Sequence, residues 1–151
     1  MFDNNAFSKK LMMVLLGGAL SMSLHAEQMF SDDRYEIHYN AFNSTFVTPD
    51  VAARHGLTRS GNRGLMNVAI LEKLDDGSTR PTTALVTAKS NNLLQQGQDI
   101  SYRQVTESDA IYYLGEFRFT NEELLNFTLS VQPDPNQPAY QIQFQQTFYQ
   151  D

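Results

Sequence analysis

The stretch Leu124–Val131 reads LLNFTLSV, and every second residue from Leu125 to Val131 is apolar. Successive side chains of a β-strand point to opposite faces, so a strand with this sequence buries one face and exposes the other. The same period of two recurs at Ala110–Phe119 and at Tyr140–Tyr149. Three such segments in the last third of the chain predict an all-β domain.

The alternation also extends toward the N-terminus. Further strands are predicted at Arg34–Phe46, Leu65–Leu74, Pro81–Ala88 and Ile100–Thr106, with a hairpin turn at Asp75-Asp76-Gly77 and a loop at Ser90–Asp99. About seven strands separated by turn residues favour an antiparallel, immunoglobulin-like β-sandwich, in which two sheets each bury one face. A β-barrel is the alternative.

One segment breaks the strand pattern. Between Thr48 and Gly56 the chain has Thr48 as an N-cap, Pro49 at the first helical position and Gly56 as a C-cap. This order predicts one short helix of about two turns.

The first 26 residues have the order of a secretory signal. Lys9 and Lys10 precede an uncharged, mostly apolar run over 11–24, and a small residue, Ala26, stands at the expected cleavage site. A cut after Ser23 is the alternative, and so is an uncleaved anchor, although the run is shorter than the roughly 20 residues of a membrane span. Residues 27–151 are therefore expected to form a single periplasmic domain without a stable membrane anchor.

Composition excludes several functions. The chain has no cysteine, so disulfides, thiolate catalysis, cysteine-ligated metals and a lipid anchor on cysteine are excluded. Without residues 1–26 the chain has 9 basic and 16 acidic residues, a net charge of −7 that disfavours nucleic acid. No nucleotide loop, nucleophile elbow or pair of histidines at metal-ligand spacing occurs, so we predict no catalytic residues, no metal and no cofactor.

The charge is unevenly distributed. The window Val51–Leu71 contains Arg54, Arg59 and Arg63 and no Asp or Glu. Guanidinium groups bind carboxylates and phosphates in bidentate geometry, so these arginines, together with His55 at the helix end, are the predicted binding site. The alternative is that they brace the fold by pairing with acidic residues: Asp32, Asp33, Glu36, Asp75 or Asp76.

A second candidate site lies in the last strand. Gln141, Gln143 and Gln145 alternate on one face. An uncharged strand of this kind can accept an added strand or a glycan. The alternative is a solvated polar face without a ligand.

The sequence resembles a known family. The segments YEIHYNAFNSTF at 35–46 and TPDVA at 48–52, followed by the segment from Arg59-Ser60 to Asn67-Val68, are similar to the DUF4426 family of exported proteobacterial proteins. The resemblance covers nearly all of 27–151. It implies export to a Gram-negative periplasm, and it implies no catalytic residue and no substrate.

These observations favour a non-catalytic protein-interaction or binding module whose partner is another envelope protein. A small-ligand carrier is the first alternative, and it requires a cavity lined by aromatic residues: Tyr113, Phe117, Phe127 and Phe144. A hydrolase is the second, and it requires His38 or His55 in a cleft beside a nucleophile.

Overall fold

A computed structural model describes residues 27–151, and the predicted signal peptide at 1–26 lies outside them. The described chain folds into ten strands, a 3-10 turn at Ser44–Phe46 and one α-helix. The strands are β1 Gln28–Ser31, β2 Tyr35–Asn43, β3 Arg63–Lys73, β4 Thr79–Pro81, β5 Leu85–Asn91, β6 Gly97–Ile100, β7 Tyr102–Glu107, β8 Ala110–Arg118, β9 Glu123–Gln132 and β10 Tyr140–Phe148; helix α1 is Pro49–His55.

The strands form two antiparallel sheets. The first sheet has the order β1-β2-β3-β8-β7, with β4 added beside β3, and the second has the order β10-β9-β5-β6. Apolar residues on the facing sides of the two sheets form one buried cluster. The predicted all-β sandwich is confirmed, with ten strands instead of about seven.

The predicted hairpin partner Pro81–Ala88 is wrong. β4 pairs with β3 over three residues only, and the chain then crosses to the second sheet, where β5 pairs with β9 and β6. Proline has no N–H to donate to a ladder, which is consistent with β4 ending at Pro81. The predicted loop at Ser90–Asp99 is correspondingly shorter, because β5 and β6 extend into it.

The predicted strand Ile100–Thr106 is two strands in different sheets. Ile100 pairs with Ala88 in the second sheet, whereas Tyr102 pairs with Gly115 in the first. We call the crossing segment, Asp99–Tyr102, the sheet corner. The corner closes one side of the sandwich.

Aromatic rings fill the space between the sheets. The ring of Phe127 on β9 lies 5.1 Å from that of Phe117 on β8 and 4.9 Å from that of Phe144 on β10. Phe148 joins them at 5.1 Å from Phe117. The fourth residue of the predicted carrier cavity, Tyr113, is buried, and its hydroxyl accepts a bond from the Ala84 amide at 2.9 Å. These residues are therefore packed core.

Helix α1 covers part of the outer face of the first sheet. Val51 and Ala52 pack against Phe42 and Leu65 in a separate apolar cluster. The predicted caps are confirmed, since the Thr48 side chain accepts from the Val51 amide and Gly56 has a φ of +63°. Within residues 27–151, no helix is long and apolar enough to cross a membrane.

Candidate functional site

The three predicted arginines have different surroundings. Arg59 donates from Nε to the Val47 carbonyl at 2.7 Å and from Nη2 to the Thr45 carbonyl at 3.2 Å. Its guanidinium therefore fixes the segment that leads into α1. Arg54 is exposed and lies 3.8 Å from a carboxylate oxygen of Glu107.

His55 is held by the same acidic residue as Arg54. Its Nε2 is 2.9 Å from Glu107 Oε1, which ties the end of α1 to β7. No ion pair in the described part of the chain joins the three arginines to the acidic residues expected to brace them: Asp32, Asp33, Glu36, Asp75 or Asp76. The bracing that does occur involves backbone carbonyls and Glu107.

Arg63 faces a second arginine. It begins β3 and is the direct cross-strand partner of Arg118 on β8. Met66, Val68 and Ile70 of β3 face the core, so Arg63 and its partner point to the outer face of the first sheet. Among residues 27–151, neither arginine has a carboxylate within salt-bridge distance.

These two arginines line an open groove of about 580 Å³, which we call the arginine groove. Arg103 of β7 adds a third guanidinium, held in place because it donates to the carbonyls of His55 at 2.6 Å and Gly56 at 3.1 Å. The other lining residues are Gln98, Asp99, Ser101, Tyr102, Leu114, Glu116 and Phe117. The three arginines outnumber the two acidic residues, so the groove is cationic on an acidic chain.

Neighbouring side chains fix the shape of this groove. The Gln98 amide donates to the Arg118 carbonyl at 2.7 Å and accepts from the Arg118 amide at 3.0 Å, so it continues the strand pairing at the end of β8. Glu116 accepts from the Thr58 amide at 2.7 Å, which occupies one of its oxygens. The groove therefore exists before any ligand arrives.

A second groove, of about 590 Å³, lies on the outer face of the second sheet. Its polar lining side chains are Thr87, Lys89, Asp99, Ser101, Tyr102, Thr128, Ser130 and Gln141. We call it the hydroxyl groove. Of the three predicted glutamines only Gln141 lines it, and its amide donates to the Ser130 hydroxyl at 3.2 Å. Gln143 and Gln145 alternate with it along β10 and are exposed.

His38 lies away from both grooves. Its Nδ1 is 2.5 Å from Glu27 Oε1 and its Nε2 is 3.2 Å from Glu36 Oε2. Burial of the ring lowers the pKa of His38, but the hydrogen bonds and charges of the two carboxylates raise it more, so the net shift is upward. This arrangement stabilises a protonated imidazole.

Sequence reasoning identified Arg63 and Gln141 and missed Arg118, Arg103 and the hydroxyl residues of β5 and β9. Arg103 and Arg118 are far from Arg63 in sequence, and only the pairing of β8 with β3 and β7 brings them together. The sequence does place Arg63 just before one predicted strand and Arg118 near the end of another. Their proximity could be predicted only if the two strands were known to pair.

The architecture is that of an antiparallel β-sandwich with two grooves that meet at one corner of its surface. Within this class, the sequence matches the model of the DUF4426 domain of unknown function over residues 29–151. The chain belongs to the DUF4426 family, as the sequence resemblance predicts. A crystal structure of a DUF4426 family protein from Pseudomonas aeruginosa is 35% identical, with a TM-score of 0.71, over 83% of this chain and 96% of that one.

Two further solved structures share the fold at low identity. FetP of uropathogenic Escherichia coli, expressed recombinantly in the periplasm, is 12% identical with a TM-score of 0.55 over 83% of this chain and 95% of that one. A copper-bound FetP variant is 9% identical with a TM-score of 0.50 over 83% and 97% of the two chains. The comparison with curated proteins gave no match.

The bound copper is stated of the FetP variant alone. No group of three or more His, Cys, Asp or Glu side chains within 27–151 could hold a metal ion. The two carboxylates around His38 lie against opposite ring nitrogens, so they do not converge on one position. The likeness to FetP is one of fold.

Proposed function

We propose that this protein is a non-catalytic binding module of the periplasm that recognises an anionic group on another component of the cell envelope through the arginine groove. A protein partner with exposed carboxylates, the class expected from the sequence, is one form of such a component. The periplasmic location rests on the signal peptide predicted at 1–26.

One observation carries the proposal: Arg63 and Arg118 lie directly opposite each other with no carboxylate in salt-bridge range among the described residues. Like charges that lie directly opposite each other destabilise a sheet. An anion bound between them would replace repulsion with two charge-assisted interactions, each capable of bidentate geometry. The free protein therefore carries a repulsion that binding of an anion would relieve.

The two alternatives have less support. Among three of the four aromatic residues predicted to line a carrier cavity, Phe127 packs against both Phe117 and Phe144. These rings fill the space that a carrier would leave open for its ligand. For the hydrolase, His55 is held by Glu107 and both nitrogens of His38 face carboxylates. No hydrogen bond among residues 27–151 joins the His55 ring to a side-chain hydroxyl, so a nucleophile beside it has no support.

The test uses inorganic phosphate as the anionic probe and NMR or calorimetric titration as the readout. In the variant Arg63→Gln/Arg118→Gln, phosphate binding to the groove should be lost. The control Arg80→Gln removes the same kind of charge from an exposed pair with Glu72 outside the groove, so it should bind like the wild type. Equal phosphate binding by the double variant and the wild type would overturn the proposal.

Thermal stability gives an independent readout of the same proposal. Arg118→Gln should leave the melting temperature unchanged or raise it slightly, because it relieves repulsion. Arg59→Gln should lower the stability by about 1–2 kcal/mol, because the Val47 and Thr45 carbonyls lose a charged donor. If Arg118→Gln is as destabilising as Arg59→Gln, Arg118 is a structural residue and the assignment fails.

A further inference from the structure

We propose that the arginine groove and the hydroxyl groove form one continuous site for an acidic glycan, a sugar chain that carries carboxylate groups. This inference rests on the proposed function, because it takes the anion-binding role of the arginines as given. It adds the chemical class of the molecule to which the anion belongs.

The two grooves adjoin. Both are lined by Asp99, Ser101 and Tyr102, the residues where the chain crosses from the second sheet to the first. The Tyr102 ring lies directly against Gly115, where an added Cβ would be 2.9 Å from the ring, so the wall shared by the grooves is tightly packed. A ligand bent around the sheet corner would occupy both grooves.

The hydroxyl groove is suited to sugar hydroxyls. Its residues stand in cross-strand rows, with Gln141 opposite Ser130 and Ser130 opposite Thr87. Hydroxyl and amide groups both donate and accept hydrogen bonds, as sugar hydroxyls do. The only charged residues that line this groove, Lys89 and Asp99, are direct cross-strand partners of opposite sign. The groove therefore presents hydrogen-bonding groups with little net charge.

The groove is less suited to a peptide. A peptide bound by strand addition needs an unpaired strand edge. In the floor of this groove β9 is paired on both sides, and β5, which pairs with β6 only over Ala88–Asn91, leaves three residues, Leu85–Thr87, without a partner on that side. This open edge is short, so recognition falls mainly to side chains, and the short Thr87, Thr128 and Ser130 hydroxyls suit sugar hydroxyls better than large peptide side chains.

The experiment compares three probes: a trisaccharide of galacturonic acid, a neutral trisaccharide of galactose with the same linkage, and triglutamate. Each is titrated by NMR or calorimetry against the wild type and two double variants, Arg63→Gln/Arg118→Gln and Thr87→Val/Thr128→Val. Valine keeps the shape of threonine and suits a strand, so the second variant removes hydroxyls alone. Thr106→Val, at an exposed position of β7 outside both grooves, is the matched control.

The acidic trisaccharide should bind the wild type and Thr106→Val equally, and each double variant should weaken it about tenfold, since two interactions are lost in either case. The affinity for the neutral sugar should fall only in the threonine variant, and the affinity for triglutamate only in the arginine variant.

If Thr87→Val/Thr128→Val binds the acidic sugar as tightly as the wild type, the glycan assignment is overturned and the proposed function stands. If Arg63→Gln/Arg118→Gln binds the acidic trisaccharide and triglutamate as tightly as the wild type, the proposed function itself is overturned. Triglutamate binding that is tighter than sugar binding and lost in the threonine variant would make the ligand a peptide.

Discussion

At the scale of single residues, His38 has an unusual electrostatic environment. Both ring nitrogens face carboxylate oxygens, and both can donate hydrogen bonds only when the imidazole is protonated. Burial opposes the charge, but Glu27 and Glu36 raise the pKa of His38 above its ordinary value of 6.5. Since Glu27 directly precedes β1, the charged ring links the start of that edge strand to β2.

The sign of the shift determines the pH dependence. His38 has a higher pKa in the folded protein than in the unfolded chain, so its contribution to stability is complete below the unfolded pKa and is lost as the pH rises through the folded pKa. The melting-temperature gap between wild type and His38→Gln should therefore be larger at pH 5.5 than at pH 8.5. An NMR titration should show that Glu36→Gln lowers the pKa of His38. A gap that does not change with pH would contradict the assigned contacts.

The arginines show how far residue-scale prediction reaches. The sequence shows that no acidic residue lies in the window Val51–Leu71, which contains the three predicted arginines. It does not show which groups each arginine side chain contacts in the folded protein. Arg59 bonds to backbone carbonyls, and backbone positions are unknown until the chain is folded. The partner of Arg63 is Arg118, which depends on the pairing of two strands far apart in sequence.

At the scale of elements, helix α1 is fixed by its ends more than by its length. Seven residues are too few for a stable helix in isolation, so caps and packing must supply the stability. Thr48→Ala removes the side-chain oxygen that accepts from the Val51 amide at 3.4 Å, and the expected loss is about 0.5–1 kcal/mol because the bond is long. Urea denaturation should detect this loss, and Thr48→Ser should restore most of the stability. A neutral Thr48→Ala would show that packing alone holds the helix.

The element boundaries that sequence predicts well are those set by local chemistry. Helix α1 and strands β2, β3, β8, β9 and β10 follow the predicted segments, because alternation and capping residues are local signals. The errors are the short strands β1 and β6, which are not predicted, and the two places where the chain changes sheets, after Pro81 and at Ser101. A strand that crosses between sheets keeps its β pattern, so periodicity alone cannot show the crossing. The sheet corner, and with it both grooves, is therefore absent from the sequence-based description.

At the scale of the whole molecule, the two sheets are joined by the aromatic cluster of Phe117, Phe127, Phe144 and Phe148. Phe117 belongs to the first sheet and the other three to the second, so the contacts of Phe117 with Phe127 and Phe148 join the sheets, whereas Phe127 contacts Phe144 and Phe148 within the second sheet. Such pairs contribute about 0.5–1.5 kcal/mol beyond the area they bury. Phe117 also lines the arginine groove, so the cluster supports one wall of that groove.

Phe127 is the centre of the cluster, and its removal tests whether the sandwich is one cooperative unit. Phe127→Ala should lower the free energy of unfolding by about 3–5 kcal/mol, because it removes a fully buried ring and leaves a cavity. The control Tyr149→Ala removes an exposed ring just beyond β10, and its effect should stay within about 0.5 kcal/mol. Methyl signals from Ile70 in the first sheet and Leu129 in the second should then disappear at the same, lower urea concentration, since both residues belong to the same buried cluster. Separate transitions for the two methyl groups would show that the sheets unfold independently, and a site that spans both sheets would then require a ligand to hold them together.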